Sequence, residues 1–193
     1  MVAEVEGQVE EEQLDPEREA RRRIALAQVR QYPDAALRIR AREVEVPGEA
    51  ITRLAERMAA LMKGASGVGL AAPQVGILQR VLVYEGDDDE VVALVNPRVI
   101  RSSDERETAE EGCLSLGMAS VTVEVERPSA VTVEAMSPAG EGLHIEAEGL
   151  TSRVIQHEID HLDGILIIDR TTPEQRRSAL AQLRPQPVLG PIG

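Results

Sequence analysis

The chain has 193 residues and a formal net charge of −13, from 21 Lys+Arg against 34 Asp+Glu, with no Phe, no Trp and two Tyr. That length suits one domain, or one domain with a tail. The acidic balance argues against a broad basic surface for nucleic acid, and no apolar run is long enough to cross a bilayer.

Residues 1–20 hold eight acids against one Arg, net −7, without an apolar period. Residues 1–22 are therefore expected to form an acidic N-terminal extension, disordered or attached as a loose helix, ahead of a single domain over 23–193. The start lacks the basic-then-apolar order of a signal peptide, so a cytoplasmic location is expected. Residues 24–29 are an apolar-rich strand candidate, Tyr32-Pro33-Asp34 a turn, and residues 37–42 a short helical turn. Ile51, Leu54, Met58, Leu61 and Met62 fall at helical spacing, which predicts an amphipathic helix over 48–63 stopped by Gly64. Residues 65–76 are Gly-rich but lack the Lys-Ser/Thr ending of a phosphate loop, and Pro73 disfavours a continuing helix. An extended loop allowing close backbone approach is expected there.

Strands are predicted at 80–84, 91–95, 99–101, 120–126, 130–135 and 143–147, separated by turns at Gly86-Asp87, Asn96-Pro97, Arg127-Pro128 and Pro138-Ala139-Gly140. Val121, Val123 and Val125 alternate with Thr122, Glu124 and Glu126, the period of a half-buried strand. His144 sits in another alternating strand as an ordinary exposed histidine. A helix is predicted from Thr151 or Ser152 to Leu162, with Thr151 as N-cap and Gly164 just past its end. A last strand at 165–169 and a helix at 173–183 follow. Strands on both sides of one helix, without βαβ alternation, predict an α+β fold. Antiparallel β-sheets would pack around a central helix that carries the His-Glu-x-x-His motif, with a C-terminal helix beyond.

That motif is Gln156-His157-Glu158-Ile159-Asp160-His161, which holds two of the three histidines in the chain. Histidines four apart on a helix project from one face, so both imidazoles can close on one metal ion, and Glu158 can act as general base toward a water there. Such a site needs a third protein ligand. Asp163, Asp169 and Glu174 are close downstream, but no acid lies beyond Glu174 for a later helix, and Ile167 stands where a third histidine of the extended motif would be needed. Cys113, the only cysteine, remains, and Gly112 before it permits tight backbone approach. Having no second cysteine, the chain forms no intrachain disulfide.

Three segments together resemble peptide deformylase: Gly67-Val68-Gly69-Leu70-Ala71-Ala72-Pro73-Gln74, then Glu111-Gly112-Cys113-Leu114-Ser115, then Gln156-His157-Glu158-Ile159-Asp160-His161-Leu162. They occur in the family's order, and the likeness extends over about residues 24–175. The resemblance implies a catalytic domain whose metal is held by Cys113, His157 and His161. The ion it implies is ferrous iron, with zinc, nickel or cobalt able to substitute. It implies hydrolysis of the N-formyl group from the initiator methionine of nascent polypeptides, releasing formate. Glu158 would be the general base, with the Gln74 amide and the Leu114 backbone N–H as oxyanion donors. Val68 and Gly69 would pair with the substrate backbone, and Val68, Leu150 and Val154 would line the methionine pocket, with the stem of Arg153 at its rim.

Glu111 is expected to be a structural hydrogen-bond partner near Arg101 or Arg106. Asp160 is expected to face away from the metal and Asp163 to be solvated. The partners implied are nascent N-formylmethionyl peptides and the ribosome near its exit tunnel. The segment from Asp169 to Gly193, with four Arg against two acids, is a candidate surface for the latter. Neither a membrane nor sequence-specific nucleic-acid binding is expected. After Leu116 the chain departs from the family: many members carry a Pro and then an Arg, whereas Gly117-Met118-Ala119-Ser120 follows here and no Arg comes before Arg127. An altered peptide preference is expected from that segment. Two alternatives are a His-Glu-x-x-His metalloprotease and a catalytically weak, metal-binding, ribosome-associated homologue.

Overall fold

The computed structural model describes residues 15–86, 90–117 and 121–183. In chain order its main elements are α1 (Pro16–Leu26), α2 (Glu49–Gly64), β1 (Gly69–Ala71), β2 (Val81–Glu85), β3 (Val91–Ser102), β4 (Arg106–Gly112), β5 (Thr122–Pro128), β6 (Ala130–Met136), β7 (Gly142–Glu148), α3 (Gly149–Leu162) and α4 (Pro173–Gln182). Five strands form an antiparallel sheet in the order β1-β2-β3-β6-β7, and β4 pairs with β5 in a second, two-stranded antiparallel sheet. Helix α3 packs against strands of both sheets, and α4 packs against β5. The fold is therefore α+β, with the motif helix at its centre. Among the described residues no helix is long and apolar enough to cross a membrane.

The period of two in β2 explains how one strand joins two cores. Val81 and Val83 point toward Met58 and Met62 of α2, and Leu82 and Tyr84 point to the other face with Ile155 and Leu162 of α3. A third cluster gathers Val121, Val123 and Val125 with Cys113, Leu166, Ile168 and Ala179. Cys113 thus enters the site from a packed apolar shell.

Several local expectations are corrected. Residues 24–29 are not a strand. The Asp15 carboxylate caps the N–H of Glu17, Pro16 opens α1, and Ala25, Leu26 and Val29 are buried along and just beyond that helix. The helix runs through residue 22; residues 1–14 lie outside the described residues. Gly64 closes α2 from within and admits α1, since a Cβ there would lie 3.3 Å from Ala25 Cβ.

The strands predicted at 91–95 and 99–101 are one strand, β3. Asn96-Pro97 is a bulge inside it, with Asn96 at φ 51° and its side-chain amide bonded both ways to the Val44 backbone. β4, rich in exposed polar residues, carried no apolar signal and was not predicted. Thr151 is not the cap of α3; the helix begins two residues earlier, at Gly149. Gly164, at φ 75°, does sit just past its end, where a Cβ would meet the Arg38 carbonyl oxygen at 2.7 Å. Residues 165–169 are not a strand: Ile167–Asp169 make a 3₁₀ turn whose Asp169 carboxylate accepts from Leu166 N–H. Of the Gly86-Asp87 turn, Asp87 lies outside the described residues.

Candidate active site

Helix α3 places His157 and His161 one turn apart, with ring centroids 5.0 Å from each other. β4 ends at Gly112 and delivers Cys113 to the same point. Cys113 Sγ lies 3.2 Å from His161 Nε2, and one ligand atom from each of Cys113, His157 and His161 falls within 4.8 Å of the others. The downstream acids do not join them. Asp163 is paired with Arg80 at 2.7 Å rather than solvated, Asp169 is paired with Arg38 and Arg176, and Glu174 is exposed on α4.

The surrounding charges explain how the rings are held. His157 Nδ1 meets Glu111 Oε2 at 3.0 Å. Burial works against the Glu111 carboxylate, but its bonds to His157 and Arg127 hold it ionised well below the usual carboxylate range. Nδ1 is then the donor, and in the neutral ring the other nitrogen is left with its lone pair. Glu111 does not reach Arg101 or Arg106. It accepts from Arg127 (2.7 and 3.0 Å) and from Arg153 (2.7 Å). Arg127 also donates to Asp160 at 2.8 Å, and Asp160 in turn accepts from Arg170 at 2.5 and 3.2 Å. Arg153 lines the cleft, but its head is buried and bonded to Glu111 and to the carbonyls of Val125 and Glu107 rather than held in solvent.

Burial disfavours a charge on His157, yet the bonds to Cys113 and Glu111 and the nearby Glu158 outweigh it and push its pKa up to about 10. For His161, burial and the positive His157 and Arg127 push the same way, well below the ordinary value. The pair therefore takes up one positive charge readily and resists a second. Glu158 is 3% exposed, and burial raises its pKa to about 7 against the pull of His157 and Arg127. Its Oε2 and His161 Nδ1 have no partner among the described residues. A sulfur and two imidazoles that converge, beside a buried carboxylate oxygen left unbonded, fit a divalent transition metal and a proton-bearing guest.

Gln74 is 1% exposed and firmly oriented. Its Oε1 accepts from Ala71 N–H at 2.7 Å, and its Nε2 donates to Ser115 Oγ at 3.2 Å and lies 3.9 Å from Cys113 Sγ. The amide NH₂ thus faces the cysteine. Leu114 opens the 3₁₀ turn Leu114–Leu116, so its N–H is one of the donors that such a turn leaves unused. These groups border a cleft of about 440 Å³ whose lining includes Val68, Gly69, Leu150 and Val154. Val154 is buried, whereas Val68 and Leu150 are open to solvent. A Cβ on Gly69 would sit 2.4 Å from Glu158 Oε1, so glycine is what lets the strand lie against that carboxylate.

The Arg127 link was missed in the sequence, although it had a signal: Arg127 continues the inward parity of Val123 and Val125 on β5.

Residues 26–177 match the family model described as polypeptide deformylase. The peptide deformylase of Desulforudis audaxviator is 44% identical over 154 residues, 80% of this chain and 99% of that protein. The peptide deformylase of Thermotoga neapolitana is 47% identical over 148 residues, 77% of this chain and 88% of that one. Among solved structures, the peptide deformylase from Thermus thermophilus superposes with a TM-score of 0.75 at 41% identity, covering 81% of this chain and 94% of its own. A peptide deformylase from Synechococcus elongatus in complex with actinonin gives 0.74 at 33% identity, over 82% and 91%.

Proposed function

The chain belongs to the polypeptide deformylase family, and we propose that its Cys113, His157 and His161 hold a divalent metal that serves hydrolysis of the formamide bond of N-formylmethionyl peptides. The single observation that carries the assignment of roles is the convergence of one thiol and two imidazoles beside the unpartnered Glu158 carboxylate oxygen. The chemistry supplied by an ion bound there is a water acidified toward neutral pH and a polarised formyl carbonyl.

The remaining steps belong to the chain's own groups. Glu158 takes a proton from the attacking water and returns one to the departing α-amine. The Gln74 Nε2 and Leu114 N–H groups donate to the oxyanion of the tetrahedral state. Val68 and Gly69 offer main-chain groups to the peptide by strand addition, which accepts many sequences after methionine. Val154 and Leu150, with Val68, form the apolar walls for the methionine side chain. Glu111 fixes the His157 ring through Nδ1.

Ferrous iron is the resident ion in this proposal, with zinc, nickel or cobalt as substitutes, since a thiolate with two imidazoles suits that group of metals. The substrate emerges at the ribosome, so the chain would work in the cytoplasm near the exit tunnel. The basic C-terminal region is a weaker support than its composition suggests: Arg170 and Arg176 are paired with Asp160 and Asp169, and Arg184 lies outside the described residues.

The test is formate release from formyl-Met-Ala-Ser by anaerobically purified protein. Glu158→Ala is expected to lower the rate by about 10²- to 10⁴-fold, with metal content by mass spectrometry unchanged. No formate with iron, nickel or cobalt loaded would overturn the assignment. Cleavage of internal peptide bonds by a Cys113→Ser variant that keeps its metal would point to a protease instead.

A further inference from the structure

Helix α1 lies almost wholly before residue 26, where the family match begins. It nevertheless forms part of the cleft. Ala25 sits over Gly64 and Leu26 beside Gly117, where Cβ atoms would be 3.3 and 3.5 Å away. Arg22, one helical turn before Leu26 and on the same face, lines the cleft together with Ser66 and Gly67.

Its position along the cleft follows from β1. The Glu158 carboxylate lies against Gly69 and marks the reacting end. From there the lining runs back through Val68 and Gly67 to Ser66, where the chain turns at φ 56° toward the end of α2. A peptide with its formyl group at Glu158 and its chain along this lining therefore carries the residues beyond its methionine toward Arg22.

Arg22 is also uncommitted. Among the described residues no acid pairs with it, although its neighbour Arg21 is paired with Asp15 and Glu17. The other arginine lining the cleft, Arg153, spends its donors on Glu111 and two carbonyls. Glu110, an exposed acid that also lines the cleft, accepts from the Thr122 hydroxyl.

We infer that Arg22 is a specificity-determining residue that binds a carboxylate on the second or third residue of the peptide, so that α1 gives this chain a preference for formyl-Met substrates with an early acidic residue. The inference rests on the deformylase reading above. A guanidinium is always charged and matches a carboxylate with two parallel N–H bonds.

The experiment compares kcat/KM for formyl-Met-Asp-Ser-amide and formyl-Met-Ala-Asp-amide with that for formyl-Met-Ala-Ser-amide, the amides removing the terminal carboxylate. The better acidic peptide is expected to exceed the neutral one by about three- to fivefold, the scale of a partly exposed ion pair. The gain should lie in KM rather than kcat and should shrink as salt is raised. Arg22→Ala should abolish the ratio and Arg22→Glu should invert it, whereas Arg18→Ala, which removes the same charge from the same helix, should leave it in place. Formate from all peptides with equal ratios in wild type and Arg22→Ala would overturn this inference and leave the deformylase reading intact. No formate from any peptide would overturn both.

Discussion

Gly69 shows how little freedom a single position has when a strand and a buried carboxylate share one space. Adding a methyl group there would place it 2.4 Å from Glu158 Oε1 and 2.9 Å from Cδ, so the carboxylate would have to move while the backbone would not. Gly69→Ala should therefore fold normally and lose at least about tenfold in kcat, because the base is displaced from its working position. A thermal melt beside a formate assay separates the two effects, and a folded variant with full turnover would refute the account. The residues that converge there were legible in the sequence because their pattern is local: His157, Glu158 and His161 sit within five positions of one helix, and Cys113 is the only cysteine. The residues that orient them were harder to read. Nothing in the spacing of Glu111, Arg127 and Asp160 reveals that they meet, since their contact depends on how β4, β5 and α3 come together.

That contact also ties the elements to each other. Arg127 on β5 bonds Glu111 on β4 and Asp160 on α3, all with side chains 9% exposed or less. Removing the cation while leaving both acids buried is costly, so Arg127→Leu should destabilise the fold by about 3–5 kcal/mol, measured by urea unfolding. A change within a few tenths of a kcal/mol would mean that solvent or other donors already satisfy those acids. The amphipathic α2 and the alternating β5 were legible because each buries one periodic face. The runs at 24–29 and 165–169 misled for one reason: each has apolar residues that face a core, Ala25, Leu26 and Val29 in the first and Leu166, Ile167 and Ile168 in the second, and burial alone does not distinguish strand, helix and turn. Asp15 and Pro16 at the start of α1, and the Asp169 carboxylate on Leu166 N–H, decide those cases.

At the scale of the whole molecule, Asp169 joins the stretch after α1 to the C-terminal helix, accepting from Leu166 N–H, Arg38 and Arg176. Partial burial opposes its ionisation, but these bonds hold its pKa below the ordinary 3.8. A carboxylate whose pKa is lowered by folding stabilises fully above its unfolded value, and that contribution fades as pH falls through the folded one. Tm should thus drop more steeply below about pH 3.8 in wild type than in Asp169→Asn, the two curves converging in acid; parallel curves would exclude the linkage. A last consequence attaches to β1, the terminal strand of the large sheet. It is only three residues long, with Ser66 at φ 56° shortly before it and Pro73, which has no N–H to offer, shortly after. With the Ala71 N–H already held by Gln74 Oε1, this brief rim keeps few open main-chain groups, too few for β1 to template a ribbon of sister molecules.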